Sequence, residues 1–212
     1  MHLGVRRTGQ AVLHRRVPPV RERDVGPHRP RGEILTDWPD LRLPWPALAS
    51  TGIALRPWRE TDSDANALVE AWNDPEVSRW TAVPDRAGLA DAARWIEGAE
   101  RRRTSGTAID LVITSVHDDL QVLGEIGLVV TDRSRRWVEL GYWTAARHRG
   151  RGHASTGLAQ LTDWTLGSLG ARLCYACTHP GNPASARVAA AAGYEKNGDL
   201  PDGTAVWVRQ PH

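Results

Sequence analysis

The chain has 212 residues, with 27 basic against 25 acidic side chains and a net charge of +2. A hydrophobic share of 41% and a charged share of 25% suit an ordinary globular domain, which excludes a disordered chain and argues against a dedicated nucleic-acid binder. No apolar run reaches membrane-spanning length and the N-terminus lacks a signal peptide's apolar centre, so no membrane partner is expected and the expected compartment is the cytoplasm.

Residues 1–48 hold half of the 14 prolines, paired arginines and little periodicity, and read as a flexible Arg/Pro-rich arm. A domain over 49–212 follows. Ile53 to Trp58 reads as a first strand, the Thr61/Asp62 region as a helix start and Ala65 to Trp72 as its body. Val77 to Trp80 reads as loop, and Arg86 to Arg103 as a helix with Leu89, Ala93 and Ile96 along one face. Thr107–Val116, Val122–Val130 and Trp137–Trp143 alternate as strands with short connections, which predicts an antiparallel meander. A helix is expected from Ser155 to Leu169, burying Leu158, Leu161, Leu166 and Leu169. A strand over 172–178, a helix over 184–192 and a hairpin near Tyr194 and Ala205 to Val208 complete the chain. Cys174 and Cys177 share one strand, where residues three apart point to opposite faces. They read as two buried structural thiols, and no metal site is expected.

The run Arg147-His148-Arg149-Gly150-Arg151-Gly152-His153-Ala154 links a strand to a helix. Two glycines there let a ligand approach the backbone, and the first helical turn offers unpaired N–H groups at the positive end of the dipole. Arginines at 147, 149 and 151 add forked donors suited to phosphate. The run predicts a diphosphate cradle. It is not a Walker loop, which needs a lysine, nor a dinucleotide fingerprint, since Ser155 replaces the third glycine.

Glu139-Leu140-Gly141-Tyr142-Trp143, the R-x-x-G-x-G loop and Asn182-Pro183-Ala184-Ser185, in that order, resemble the GNAT acetyltransferases. More narrowly they resemble the RimJ/RimL-like branch, over roughly Ile53 to Val208. The resemblance implies a mixed α/β fold whose central, mostly antiparallel sheet is flanked by helices. It implies acetyl-CoA as cosubstrate, no metal, and direct transfer to a primary amine, either a protein N-terminus or a small molecule. Oligomeric state stays open between monomer and homodimer. The cofactor-binding set implied is Trp143, Thr144, Arg147, Arg149, Gly150, Arg151, Gly152, His153, Ala154 and Asn182. Glu139 is the first candidate base, with pairing to Arg135 or Arg136 as its alternative, and Glu125 is the second candidate or an attractor for a cationic amine. Ser185 matches a serine near the sulfur, and Asn182 also suits a helix cap. Ala189 stands where many relatives carry a tyrosine acid, which leaves Ser185 or water to protonate the thiolate. That gap leaves a rival reading, a non-catalytic acyl-CoA-binding module, which would hydrolyse acetyl-CoA only slowly with any amine. His148 and His153 are expected to be loop-facing and exposed.

Overall fold

The alternating apolar residues of Ile53–Pro57 (β2), Ala108–Ser115 (β3), Val122–Asp132 (β4) and Trp137–Thr144 (β5) pair antiparallel in sequence order, so the expected meander forms. The computed structural model describes residues 48–50, 52–84 and 86–211. The arm expected over 1–48 lies outside the described residues except for Leu48, which with Ala49 forms an edge strand (β1) paired to β2. Leu173–Thr178 (β6) adds parallel to β5, and the hairpin of Glu195–Asp199 (β7) and Ala205–Arg209 (β8) closes the sheet. The sheet has 8 strands in the order β1-β2-β3-β4-β5-β6-β8-β7.

Among the described residues five α-helices cover it. Asp62–Trp72 (α1) starts at Thr61, whose hydroxyl accepts from the Asp64 N–H. Pro75–Trp80 (α2) corrects the loop expected over 77–80. Asp74 accepts from the N–H groups of Glu76 and Val77, and Pro75 sits in the first turn, where its missing donor costs nothing. Leu89–Thr104 (α3) buries Ala92, Ile96 and Ala99, whereas Leu89 is 52% exposed. Of the expected face Ile96 is buried and Leu89 and Ala93 are exposed, so the buried stripe runs through Ala92, Ile96 and Ala99. His153–Gly167 (α4) begins two residues before the expected start, and Pro183–Ala191 (α5) follows β6.

The strand pleat sorts side chains into two layers. Ile109, Leu111, Ile113, Ile126, Leu128, Val138 and Leu140 face α4 and α5 and pack on Leu158 and Leu161. Leu166, expected in that core, is only partly buried. On the other face Val112 and Trp143 pack with Trp58, Leu68, Trp72, Ala92 and Ile96 under α1 and α3. Cys174 is buried in the first layer, while Cys177 is only half-buried in the opposite one beside Trp137 and Tyr175. The expectation of two buried thiols thus holds for Cys174 alone. Burial drives the Cys174 thiol pKa upward, away from reactivity.

Candidate functional site

Strands β5 and β6 are in register only at Trp137–Leu173, Val138–Cys174 and Glu139–Tyr175. Beyond Glu139 they diverge, so Leu140–Thr144 and Ala176–Thr178 border a gap in the middle of the sheet. Peptide groups along diverging strand edges can accept an extended ligand as an added strand would be accepted.

At the end of β5 the chain makes a short 3-10 turn, Ala146–His148, and reaches α4 through Gly150 and Gly152. Both glycines have positive φ, 73° and 81°, which explains their residue type. Gly152 is the N-cap of α4 and supplies no side-chain acceptor, so the first-turn N–H groups have no cap. Arg147 and Arg149 reach sideways to the helices: Arg147 to Glu70 at 3.3 Å and Arg149 to Asp74 at 2.8 Å. Arg149 also donates to the Thr144 carbonyl. Burial alone would raise the Asp74 pKa, but the Arg149 hydrogen bond and the N–H groups of Glu76 and Val77 hold it below its ordinary value. Among the described residues Arg151 has no ion-pair partner, and it is exposed. His148 is buried, contrary to expectation, because the 3-10 turn folds it inward. Its Nε2 accepts from Arg147, and its Nδ1 is buried without a partner. Burial and the neighbouring Arg147 and Arg151 lower its pKa, so the ring is neutral near pH 7. His153 is half-buried beside it, with ring centres 6.4 Å apart, and Ala154 is buried in the first turn of α4.

Glu125, Gly127, Gly141, Glu139 and Trp143 share the sheet face under α1 and α3. Glu125 is buried, and both of its oxygens are occupied. Trp58 Nε1 donates to Oε1 at 3.1 Å and Trp143 Nε1 to Oε2 at 2.5 Å. Desolvation and the nearby Asp110 carboxylate push its pKa to about 7, outweighing the two indole donors. Glu139 is half-buried and accepts from the Tyr175 hydroxyl at 3.4 Å. Between the two carboxylates Gly141 is exposed although it lies in a central strand. Trp80 of α2 lies against the turn after β6, its ring tilted on His179 with centres 5.2 Å apart.

On the other face, Tyr142 of β5 reaches α5. Its Oη lies 2.9 Å from the Ser185 carbonyl oxygen and 3.0 Å from Ser185 Oγ. Asn182 caps α5, its Oδ1 accepting the Ser185 N–H at 3.0 Å. Ala189 is fully buried in the core. The structure therefore gathers Glu125, Glu139 and Trp143 on one face, Asn182 and Ser185 on the other, and Thr144 and the glycine loop at the end of the gap. Sequence reasoning missed Tyr142 and Trp58. The parity of Tyr142, odd against Glu139 along β5, was the available signal that it faces α5.

No helix among the described residues is long and apolar enough to cross a membrane, and no cluster of metal-ligating side chains occurs among them. The sequence is 27% identical over 139 residues to the N-acetyltransferase p20 of Bacillus licheniformis, itself uncharacterised, covering 66% of this chain and 78% of that protein. The fold resembles that of Mycobacterium smegmatis RimJ in complex with CoA-disulfide, with a TM-score of 0.66, 22% identity, and coverage of 74% of this chain and 81% of that one. It also resembles the ribosomal-protein-S5-alanine acetyltransferase of Vibrio fischeri, with a TM-score of 0.66, 16% identity, and coverage of 77% and 95%. A profile of the acetyltransferase (GNAT) domain matches residues 53–195, more than half of the sequence, and the chain belongs to that family.

Proposed function

We propose that this chain transfers an acetyl group from acetyl-CoA directly to a primary amine, and that its acceptor is a protein N-terminus. The observation that carries the reading is the gap between β5 and β6, which runs from the uncapped start of α4 to the two carboxylates of the α1/α3 face. An elongated molecule with an anionic head and a reactive tail fits such a gap. Gly150, Gly152, Arg151, His153 and Ala154 would hold a diphosphate through backbone N–H groups and one forked side chain. The orphaned, buried His148 Nδ1 beside that turn supplies one more polar atom awaiting a partner. Arg147 and Arg149 serve the cradle less directly, by tying the loop to Glu70 and Asp74. Trp143 and Thr144 border the gap, and Asn182 braces the first turn of α5.

The bound thioester supplies the acetyl group, and the chain's own residues do the rest. Glu139, half-buried beside exposed Gly141, is placed to take the amine's proton, directly or through water. Glu125, with both oxygens held by indoles, is better placed to fix Trp58 and Trp143 than to accept a proton. An N-terminal amine suits the opening because it is a primary amine on a flexible end. The likeness to ribosomal-protein acetyltransferases favours that class.

The test is mass spectrometry of products after incubation with acetyl-CoA and a panel of peptides, polyamines and aminoglycosides. Acetylation of peptide α-amines is the expected result. Modification of small amines alone would move the acceptor class, and slow thioester hydrolysis with every amine would make the chain a binding module.

A further inference from the structure

Gly127 and Gly141 pair across β4 and β5 and leave a bare floor on the sheet face under α1 and α3. Three carboxylates surround that floor. Glu125 and Glu139 lie to either side of the glycine pair, each two residues along its own strand. The third is Asp110 of β3, which stands directly opposite Gly127 and so faces the same way.

Asp110 is only 8% exposed, and just one of its oxygens is engaged. Arg102 of α3 directs both Nε and Nη2 to Oδ2, at 2.8 Å each. The guanidinium is fixed there by the Trp95 carbonyl, 3.2 Å from Nη2, and by the Trp95 ring, whose centre is 4.0 Å away. Among the described residues nothing donates to Asp110 Oδ1. That oxygen lies over the space Gly127 leaves empty, since a Cβ there would be 3.4 Å from it. A buried carboxylate oxygen without a donor carries a desolvation cost that a hydrogen bond would offset. Burial moves the Asp110 pKa upward in spite of Arg102, the sign of a site short of positive charge.

We propose that Asp110 Oδ1 binds a second cationic group on the acceptor, so that the preferred substrate is an amine with a lysine or arginine side chain close behind it. The inference rests on the acetyl-transfer reading and deepens it. The reacting amine cannot supply this charge, because it attacks only after giving up its proton beside Glu139. A cation that survives the reaction is the partner Asp110 lacks. Strand spacing and rise put the Asp110 and Glu139 Cα atoms roughly 12 Å apart. Three extended residues span about 10 Å, so a basic side chain within the first three of a peptide reaches Asp110 while the amine sits at Glu139. The two glycines let that segment lie flat on the sheet. A diamine carries the same pair of charges, and the test separates the two sources.

The test measures kcat/KM on peptides that carry lysine, or its uncharged analogue norleucine, at position two or three. The wild type should prefer the lysine peptides at least tenfold, the effect of one hydrogen bond to a charged group. The preference should vanish when the lysine is moved to position eight, beyond reach of the floor. In Asp110→Asn the ratio between the two peptides should fall to near one. A wild-type ratio near one overturns the inference with no variant needed, so a variant that fails to fold does not shield it. A ratio kept in Asp110→Asn, or a preference blind to lysine position, overturns it too, by assigning the effect to general charge. Peptides acetylated regardless of lysine would leave the transfer reading standing and remove Asp110 from it. The reverse result is a preference for diamines over monoamines of equal length, lost in Asp110→Asn, with peptides inert. The N-terminal acceptor would then fall while the Asp110 site stands.

Discussion

Gly127 and Gly141 stand directly opposite each other in β4 and β5, so the sheet face between Glu125 and Glu139 carries no side chain. The two glycines are not equivalent. A Cβ at Gly127 would lie 2.8 Å from the Ile109 carbonyl oxygen, whereas a Cβ at Gly141 would meet nothing within 4 Å. Gly141→Val should therefore keep the fold, and a strand glycine replaced this way can gain about 0.5–1 kcal/mol. The valine would fill the acceptor floor, raising KM for the amine at least tenfold with acetyl-CoA affinity unchanged. Gly127→Ala should instead lower the melting temperature. Steady-state kinetics beside thermal melts of both variants check this, and an unaffected amine KM in Gly141→Val would place the acceptor elsewhere.

Glu139→Gln keeps shape and removes basicity. We expect kcat/KM for the amine to fall by about 10²–10⁴-fold, the usual contribution of a general base, with acetyl-CoA binding unchanged. The defect should shrink at high pH, where the amine arrives deprotonated. A pH–rate profile parallel to the wild type would mean that solvent takes the proton.

Glu125 links the site to stability. Its pKa is raised to about 7 by burial and by Asp110, so the folded state holds this proton more tightly than the unfolded chain does. The resulting stabilisation is fully present below the ordinary value of 4.5 and is lost as pH rises through about 7. Melting temperature should therefore decline between pH 5 and pH 8, by roughly 1.4 kcal/mol of stability for each unit of upward shift. Glu125→Gln should flatten that decline in part, because the buried Asp110 is shifted the same way by desolvation. A decline of equal slope in the variant would show that other groups titrate.

Gly152 tests the cradle, and two substitutions separate backbone from charge. At φ 81° any side chain is strained, but asparagine tolerates this region best. Gly152→Asn should weaken acetyl-CoA binding modestly, and Gly152→Asp by at least a further tenfold, about 1.4 kcal/mol. Calorimetry giving equal affinities for the two would remove the phosphate from this turn.

Local patterns carried most of the fold. Alternation gave the β3–β5 meander, and the glycine loop announced the start of α4, because both signals lie within a few residues of their consequence. Pairings between distant segments were not legible. Arg147 and Arg149 read as phosphate donors, yet they meet Glu70 and Asp74, acidic residues brought over by α1 and the cap of α2. His148 read as exposed because nothing local shows that its turn folds inward. The short α2 went unseen since Asp74-Pro75 reads equally as a helix stop and a helix start, and only the Asp74 hydrogen bonds decide between them. In the candidate site, Glu139, Asn182 and Ser185 came from motifs, while the burial of Glu125 between two indoles required the packing of β2 and β5.

Three residue pairs are all that join β5 to β6, and so one half of the sheet to the other. A cosubstrate lying in the gap and bonded to both edges would act as a missing structural member as well as a reactant. The seam would then be weakest when acetyl-CoA is scarce and would tighten as its supply rises, by about 2.7 kcal/mol at a hundredfold excess over Kd. Such a chain would couple its own lifetime against proteases to the acetyl supply of the cell, with no regulatory domain needed to sense it.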